Sequence, residues 1–217
     1  MIDFYYGSGS PYAWRVWLAL EHKALPYELH VMSFSSGDLK TDAYRAINPR
    51  GRVPAIVDGD FKLAESAAIL EYLEDAYPQS GARLFPADVR ARAHARRMIR
   101  EADEYLAHRM EALLDLLFDP PQAPDAATVA RAREDLLAEV DVFERSAAAP
   151  FLAGDLGAVD FTVYPLIALT LRLQDRRQPS LGIRESLGAQ LAAWMRRVEA
   201  LPYFERTYPP HWKAASA

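Results

Sequence analysis

Apolar and polar positions change rhythm near residue 78. Before it, short β-like runs alternate with helical ones; after it only helical spacing remains. Ile2-Asp3-Phe4-Tyr5-Tyr6 is dense in β-favouring residues and stops at Gly7, the pattern of a strand. From Pro11 to Ala24 the apolar residues Ala13, Val16, Trp17, Leu20 and Ala24 recur at helical spacing. Pro11 suits the first turn, where its missing N–H costs nothing. Tyr27 to Met32 alternates like a second strand, and Asp38 to Ile47 predicts a short helix capped by Asp38. Pro54 to Val57 and Phe61 to Leu63 flank Asp58-Gly59, a two-residue hairpin signal. Glu65 to Tyr77 predicts a helix with Ala68, Ile69, Tyr72, Leu73 and Ala76 on one face.

The order β-α-β-α-β-β-α makes residues 1–78 a small α/β unit like that of thioredoxin. Residues 79–87 carry Pro86, Gly81 and polar residues and read as a linker. Residues 88–217 read as all-helical. Ile99, Ala102, Leu106, Leu113 and Leu117 keep one stripe; Val129, Ala132, Leu136, Val140 and Phe143 keep another. Pro120-Pro121 and Pro124 separate the two. Asp160 to Arg172 is apolar nearly all round, so it belongs inside the helical domain, with Pro165 bending it or lying in its first turns. A last helix covers Leu187 to Leu201 and ends before Pro202.

Composition narrows the chemistry. Of 217 residues, 51% are hydrophobic and 25% charged, an ordinary globular mix. A formal net charge of −5 argues against a nucleic-acid partner. The absence of cysteine excludes a disulfide framework, a thiolate metal site and a protein-borne thiol nucleophile. His22, His30, His94, His108 and His211 show no metal-ligand spacing. The longest apolar stretch, within Phe161 to Leu171, is too short to span a bilayer, and no basic-then-apolar signal opens the chain. A cytoplasmic setting is the expectation.

Three segments then combine. Asn48-Pro49-Arg50-Gly51-Arg52-Val53-Pro54-Ala55-Ile56 carries a Val-Pro bond; Glu65-Ser66 opens a helix eleven residues later; Ser10-Pro11-Tyr12-Ala13 opens the first helix. In this arrangement the chain resembles the soluble glutathione transferases, in particular serine-type bacterial-like members. The Leu84-Phe85-Pro86-Ala87-Asp88 junction also looks like that family's approach to its long fourth helix. The resemblance covers the whole chain and is most specific in residues 2 to 77. It implies a thioredoxin-like domain followed by an all-α domain, a homodimer, glutathione as co-substrate, and transfer of its thiolate to small, mostly hydrophobic electrophiles in detoxification.

The resemblance also assigns roles, each with a plainer competitor. A cis Val53-Pro54 bond would turn the Val53 N–H and C=O toward the cysteinyl part of glutathione; the plainer reading is a trans proline starting an edge strand. Ser66, at a helix start, would take the γ-glutamyl carboxylate and Glu65 the α-ammonium, against simple capping. Lys40 and Arg52 would meet the glycine carboxylate, with Arg50 a competitor and a solvated charge the alternative. Ser10 would donate its hydroxyl to the thiol sulfur, which is the nucleophile; Ser8 and Tyr6 are alternatives, and Ser10 equally suits a helix cap. A free thiol of pKa about 8.5 is only about 3% ionised at pH 7, and lowering it by about two units takes about 2.7 kcal/mol. Asp103 or Glu101 could reach a partner subunit's ligand, though a solvated acid is the plainer reading. The acceptor pocket would draw on Tyr105, Met110 and the tail near Trp212.

Two other functions share the fold. A maleylacetoacetate-type cis-trans isomerase is suggested by Trp14-Arg15-Val16, but Ser10-Pro11-Tyr12 stands where that branch has Ser-Ser-Cys. A non-catalytic partner module is disfavoured by the presence of all three ligand segments.

Overall fold

The computed structural model of the protein describes residues 1–118 and 124–213. Pro120-Pro121 lies outside them, whereas Pro124 lies just before a helix. The chain divides into two compact units, Met1–Phe85 joined by the residues from Leu201 on, and Pro86–Ala200.

The first unit is built on β1 (Ile2–Gly7), β2 (Tyr27–Met32), β3 (Ala55–Asp58) and β4 (Phe61–Ala64), in the order β2-β1-β3-β4. β1 runs parallel to β2, with Phe4 opposite Leu29, and antiparallel to β3, with Phe4 opposite Ile56. Ile2, Phe4 and Tyr6 are buried on one face, as period-two alternation requires. Asp3 and Tyr5 point the other way, where Tyr5 stacks on His30 and Asp3 accepts from or ion-pairs with it at 2.8 Å. Helices α1 (Pro11–His22) and α3 (Ser66–Ala76) pack on each other, and the short α2 (Asp42–Arg45) sets Tyr44 against Tyr5.

Two local expectations shift. Asp38 does not cap a helix over 38–47. Its carboxylate is taken by the Ser33 N–H and the Ser36 hydroxyl, a 3-10 turn spans Asp38–Lys40, and Thr41 caps α2. The hairpin loop is Gly59-Asp60, one residue later than the Asp-Gly signal. Asp58 stays in its strand, where Tyr72 of α3 and Tyr77, just past the end of that helix, both donate to its carboxylate.

The end of the chain is the larger difference from the sequence reading. Instead of closing the helical domain, residues from Leu201 on group with the first unit. α10 (Phe204–Thr207) and α11 (Pro210–Lys213) lie against α1. Trp14 donates to the Thr207 hydroxyl at 3.1 Å and meets Trp212 edge-on at 5.4 Å between ring centres. Such aromatic contacts each add about 1 kcal/mol beyond area burial.

The second unit holds α4 (Val89–Glu101), α5 (Ala107–Leu117), α6 (Ala126–Ser146), α7 (Ala158–Arg177), α8 (Ile183–Ser186) and α9 (Ala189–Glu199). Between α4 and α5 the helix widens to a π-helical stretch, Ala102–Leu106. α7 is the core helix, with Pro165 inside it. No helix among the described residues is long and apolar enough to cross a membrane. The start of α7 is tied by Asp160, which accepts from the Leu152, Gly157 and Trp194 N–H groups at 3.0, 3.0 and 2.7 Å.

Burial pushes the Asp160 carboxyl up to about 6, with those three donors opposing. The folded value exceeds the unfolded value of about 4, so the folded chain holds this proton more tightly. The stability that follows is complete below about pH 4 and is lost as pH rises through about 6. Asp160→Asn cannot titrate. Urea unfolding should therefore show wild type gaining about 2 kcal/mol on the variant between about pH 7.5 and pH 4.5. A gap that does not change with pH refutes the raised value.

Candidate functional site

The loop after β1 is short and tight. Ser10 N–H donates to the Gly7 carbonyl at 3.0 Å, and Pro11 starts α1 immediately afterwards. Ser10 is 8% exposed, and its hydroxyl oxygen accepts from the Ala13 N–H at 3.2 Å, so the capping role is real. The hydroxyl proton has no protein acceptor among the described residues and is left to donate outward. Tyr6 sits below the loop with no exposed surface. Its hydroxyl meets no partner in hydrogen-bond geometry among the described residues, although Ser8 and the Gly9 amide lie near it. Burial pushes that phenol up to about 12, so it is neutral at physiological pH.

The loop before β3 is held from beneath. Tyr44 donates to the Arg52 carbonyl at 2.6 Å, and the Asn48 side chain donates to the same carbonyl at 2.7 Å. Asn48 also accepts from the Arg50 N–H at 3.1 Å. With Arg52 fixed in this way, the Val53-Pro54 bond is cis, as the resemblance implies. The Val53 N–H and C=O make no hydrogen bond among the described residues. An extended main chain at a sheet margin with free donor and acceptor is what strand addition by a peptide uses. Tyr44 and Asn48 were not singled out from the sequence for this role. Their separation of four residues, bracketing the end of α2, was the available signal.

Gly51 brings the next part into place. It has φ +60, and a Cβ there would stand 2.6 Å from the Leu39 carbonyl oxygen, so a side chain would push the 3-10 turn away. Lys40 is on that turn and Arg52 directly follows Gly51. Both are exposed, and neither side chain is in a hydrogen bond or ion pair among the described residues. Arg50 instead lies 3.8 Å from Glu65, an exposed pair worth little.

Glu65 precedes α3 with φ +69, outside the usual range for a residue with a side chain, at a strain of about 1–3 kcal/mol. It makes no capping hydrogen bond, and the first return bond of the helix is Ile69 N–H to the Glu65 carbonyl. The N–H groups of Ser66, Ala67 and Ala68 therefore have no protein acceptor among the described residues, and the Ser66 hydroxyl joins them. Three free amides at the positive end of a helix favour an anion.

The structure thus gathers Ser10, Lys40, Arg52, Val53, Pro54, Glu65 and Ser66 in the first unit. Glu101 and Asp103 belong to the second. Glu101 is ion-paired with Arg97 one helical turn earlier, and Asp103 lies in the π-helical stretch. Tyr105 is exposed there, whereas Met110 is buried.

Comparison with known proteins places the chain in a family. The family model described as the N-terminal domain of glutathione S-transferase matches residues 4–81. Glutathione S-transferase A of Pleuronectes platessa is 30% identical over 214 residues, covering 95% of this chain and 91% of that protein. Glutathione S-transferase 3 of Zea mays is 33% identical over 202 residues, covering 91% and 89%. The crystal structure of a glutathione S-transferase from the Antarctic clam Laternula elliptica superposes with a TM-score of 0.80 at 28% identity, over 98% of this chain and 94% of that one.

Proposed function

The chain belongs to the glutathione S-transferase family, and on that premise we propose that it binds glutathione along the first unit and transfers its thiolate to small, electrophilic, mostly hydrophobic molecules. The observation that carries this reading is the set of unpaired main-chain groups: Val53 N–H and C=O in the middle, and the free amides of α3 at one end. A γ-glutamyl carboxylate fits the amides and Ser66, while Glu65 takes the neighbouring ammonium. The cysteinyl main chain pairs with Val53. The glycine carboxylate meets Lys40 and Arg52.

The sulfur then lies toward the β1–α1 loop, where the Ser10 hydroxyl donates to it. A hydrogen bond to a charged group is worth about 1.5–3 kcal/mol, which covers much of the 2.7 kcal/mol needed for two pKa units. The N-terminus of α1 adds a smaller share. The serine stays a donor throughout, and the thiolate sulfur forms the new bond to carbon. This is the serine-type reading of the family. A homodimer and a cytoplasmic setting go with it.

Glu65 separates site from fold. Glycine at this position removes the strained backbone and the carboxylate together. In Glu65→Gly, calorimetric titration should show glutathione binding weakened by about tenfold or more, the loss of one charge-assisted contact. Thermal unfolding should show stability unchanged or raised by about 1 kcal/mol, since relieved strain outweighs the entropy cost of glycine. Unchanged affinity would remove Glu65 from the site. No heat of binding in the wild type would overturn the site reading as a whole.

A further inference from the structure

The β1–α1 loop is covered from an unexpected side. Ser8 and Ser10 flank Gly9, which has φ +88. A Cβ on Gly9 would stand 2.7 Å from the His211 ring and 3.2 Å from the Trp212 indole nitrogen, so the tail lies directly on the loop. Trp212 is 4% exposed, wedged against Trp14 and Tyr208, and this anchors the tail. His211 is exposed, and its Nδ1 is 2.6 Å from the Ser8 hydroxyl oxygen. A short hydroxyl–imidazole contact, on an exposed histidine, thus stands two residues from Ser10.

We propose that Ser8 and His211 form a proton relay for the glutathione thiol, with His211 a positioning residue that acts through the Ser8 hydroxyl. The inference rests on the glutathione-site reading above. With His211 neutral, Ser8 donates to Nδ1 and its oxygen lone pairs face the thiol. The S–H bond breaks as its proton passes to the Ser8 oxygen, and the Ser8 proton passes to Nδ1. The products are a thiolate and an imidazolium. Each hydrogen bond then runs in reverse: Nδ1–H donates to Ser8, and Ser8 donates to the sulfur. The positive ring stays near the thiolate and lowers the thiol pKa, as an opposite charge close by does. No other reactant is required, and the imidazolium can later lose its proton to water.

The charged neighbours on the tail are engaged with one another or with α1. Lys213 and Glu205 pair with each other at 3.2 Å, and Arg206 pairs with Glu21. Arg15 of α1 is buried beside Tyr12. The loop itself carries only Gly7, Ser8, Gly9 and Ser10, with the neutral Tyr6 phenol beneath.

The test is proton counting. Calorimetric titration of glutathione near pH 7.5, in buffers of different ionisation enthalpy, gives protons released per binding event, and thiolate ultraviolet absorbance against pH gives the ionisation midpoint. His211→Gln should bind glutathione within about twofold of wild type and raise the midpoint by about half a unit to one unit. It should nevertheless release more protons, by roughly half a proton per site, because no imidazolium keeps them. A merely structural histidine cannot produce less thiolate together with more released protons. Ser8→Ala should shift the midpoint equally, and the double variant should shift it no further. Retained binding with unchanged midpoint and proton count, or shifts that add, would overturn the relay alone. A wild type that binds no glutathione would overturn the site reading and the relay with it. Unfolding curves for each variant confirm that the exposed substitutions leave the fold intact.

Discussion

Ser10→Ala should bind glutathione almost as well as wild type and ionise its thiol about 1.5 pH units higher. Of the bound peptide the hydroxyl touches only the sulfur in the proposed arrangement, so the main-chain contacts of Val53 and the α3 amides survive its loss. Removing a charge-assisted hydrogen bond of about 2 kcal/mol moves the midpoint by about 1.5 units. At pH 7 the thiolate fraction then falls roughly eightfold, from about three-quarters to under a tenth. Turnover should fall by less, because a more basic thiolate is a better nucleophile. The substitution also removes the cap that accepts from the Ala13 N–H, at a cost of about 1 kcal/mol of stability. Ser10→Gly is the control, since glycine caps a helix at a cost of only a few tenths of a kcal/mol. Both variants should show the same ionisation shift, read from thiolate absorbance against pH. A midpoint that does not move would pass the donor role to Ser8 or Tyr6.

Glu74→Ala should cost about 3–5 kcal/mol of stability. Lys23 directly follows α1 with its side chain 1% exposed, and its ionic partner among the described residues is Glu74, 3.2 Å away. The same carboxylate oxygen accepts from the Leu84 N–H at 2.8 Å, and Arg83 approaches the other oxygen at 4.0 Å. Alanine would leave a buried ammonium without a counter-charge and a buried amide without an acceptor. The double variant Lys23→Met, Glu74→Leu is the informative companion. It removes both charges and should recover most of the loss, leaving about 1–2 kcal/mol for the orphaned Leu84 amide. Urea unfolding at neutral pH separates the two cases. A single variant that loses under about 1 kcal/mol would show that Lys23 finds water when its partner is gone.

Much of this was legible in the chain. Alternation placed β1 and β2, the proline and glycine positions bounded the helices, and a nearly all-apolar run marked α7 as the core helix. These signals are local, because burial of one face repeats every two or 3.6 residues. The failures are instructive in the same terms. Asp38 and the Asp58-Gly59 pair carry correct turn chemistry, but each acid is claimed by other donors, Ser33 and Ser36 in one case and Tyr72 and Tyr77 in the other. Side-chain competition of that kind is decided after the segments meet.

For the site, the residue types and their spacing nominate Ser10, Val53, Pro54, Glu65 and Ser66 as candidates through a family resemblance, together with Lys40 and Arg52. What the chain could not display is which main-chain groups remain unpaired. The openness of Val53 and of the first turn of α3 follows from where the sheet ends and from the positive φ of Glu65. The grip of Tyr44 and Asn48 on a single carbonyl, and the close pass of Gly51 by Leu39, are likewise properties of the folded loop.

The tail shows the division best. By sequence it continued the helical domain, and His211 was one of five histidines without a pattern. In the fold it sits 203 positions along the chain from the serine it touches. The sequence by itself determined the elements, the change from α/β to α at the linker, and the chemical kinds available to the site, because those depend on local burial and on residue type. Only the tertiary structure decided which end of the chain covers the β1–α1 loop and which buried charge meets which, because such contacts join segments whose separation carries no periodic signal.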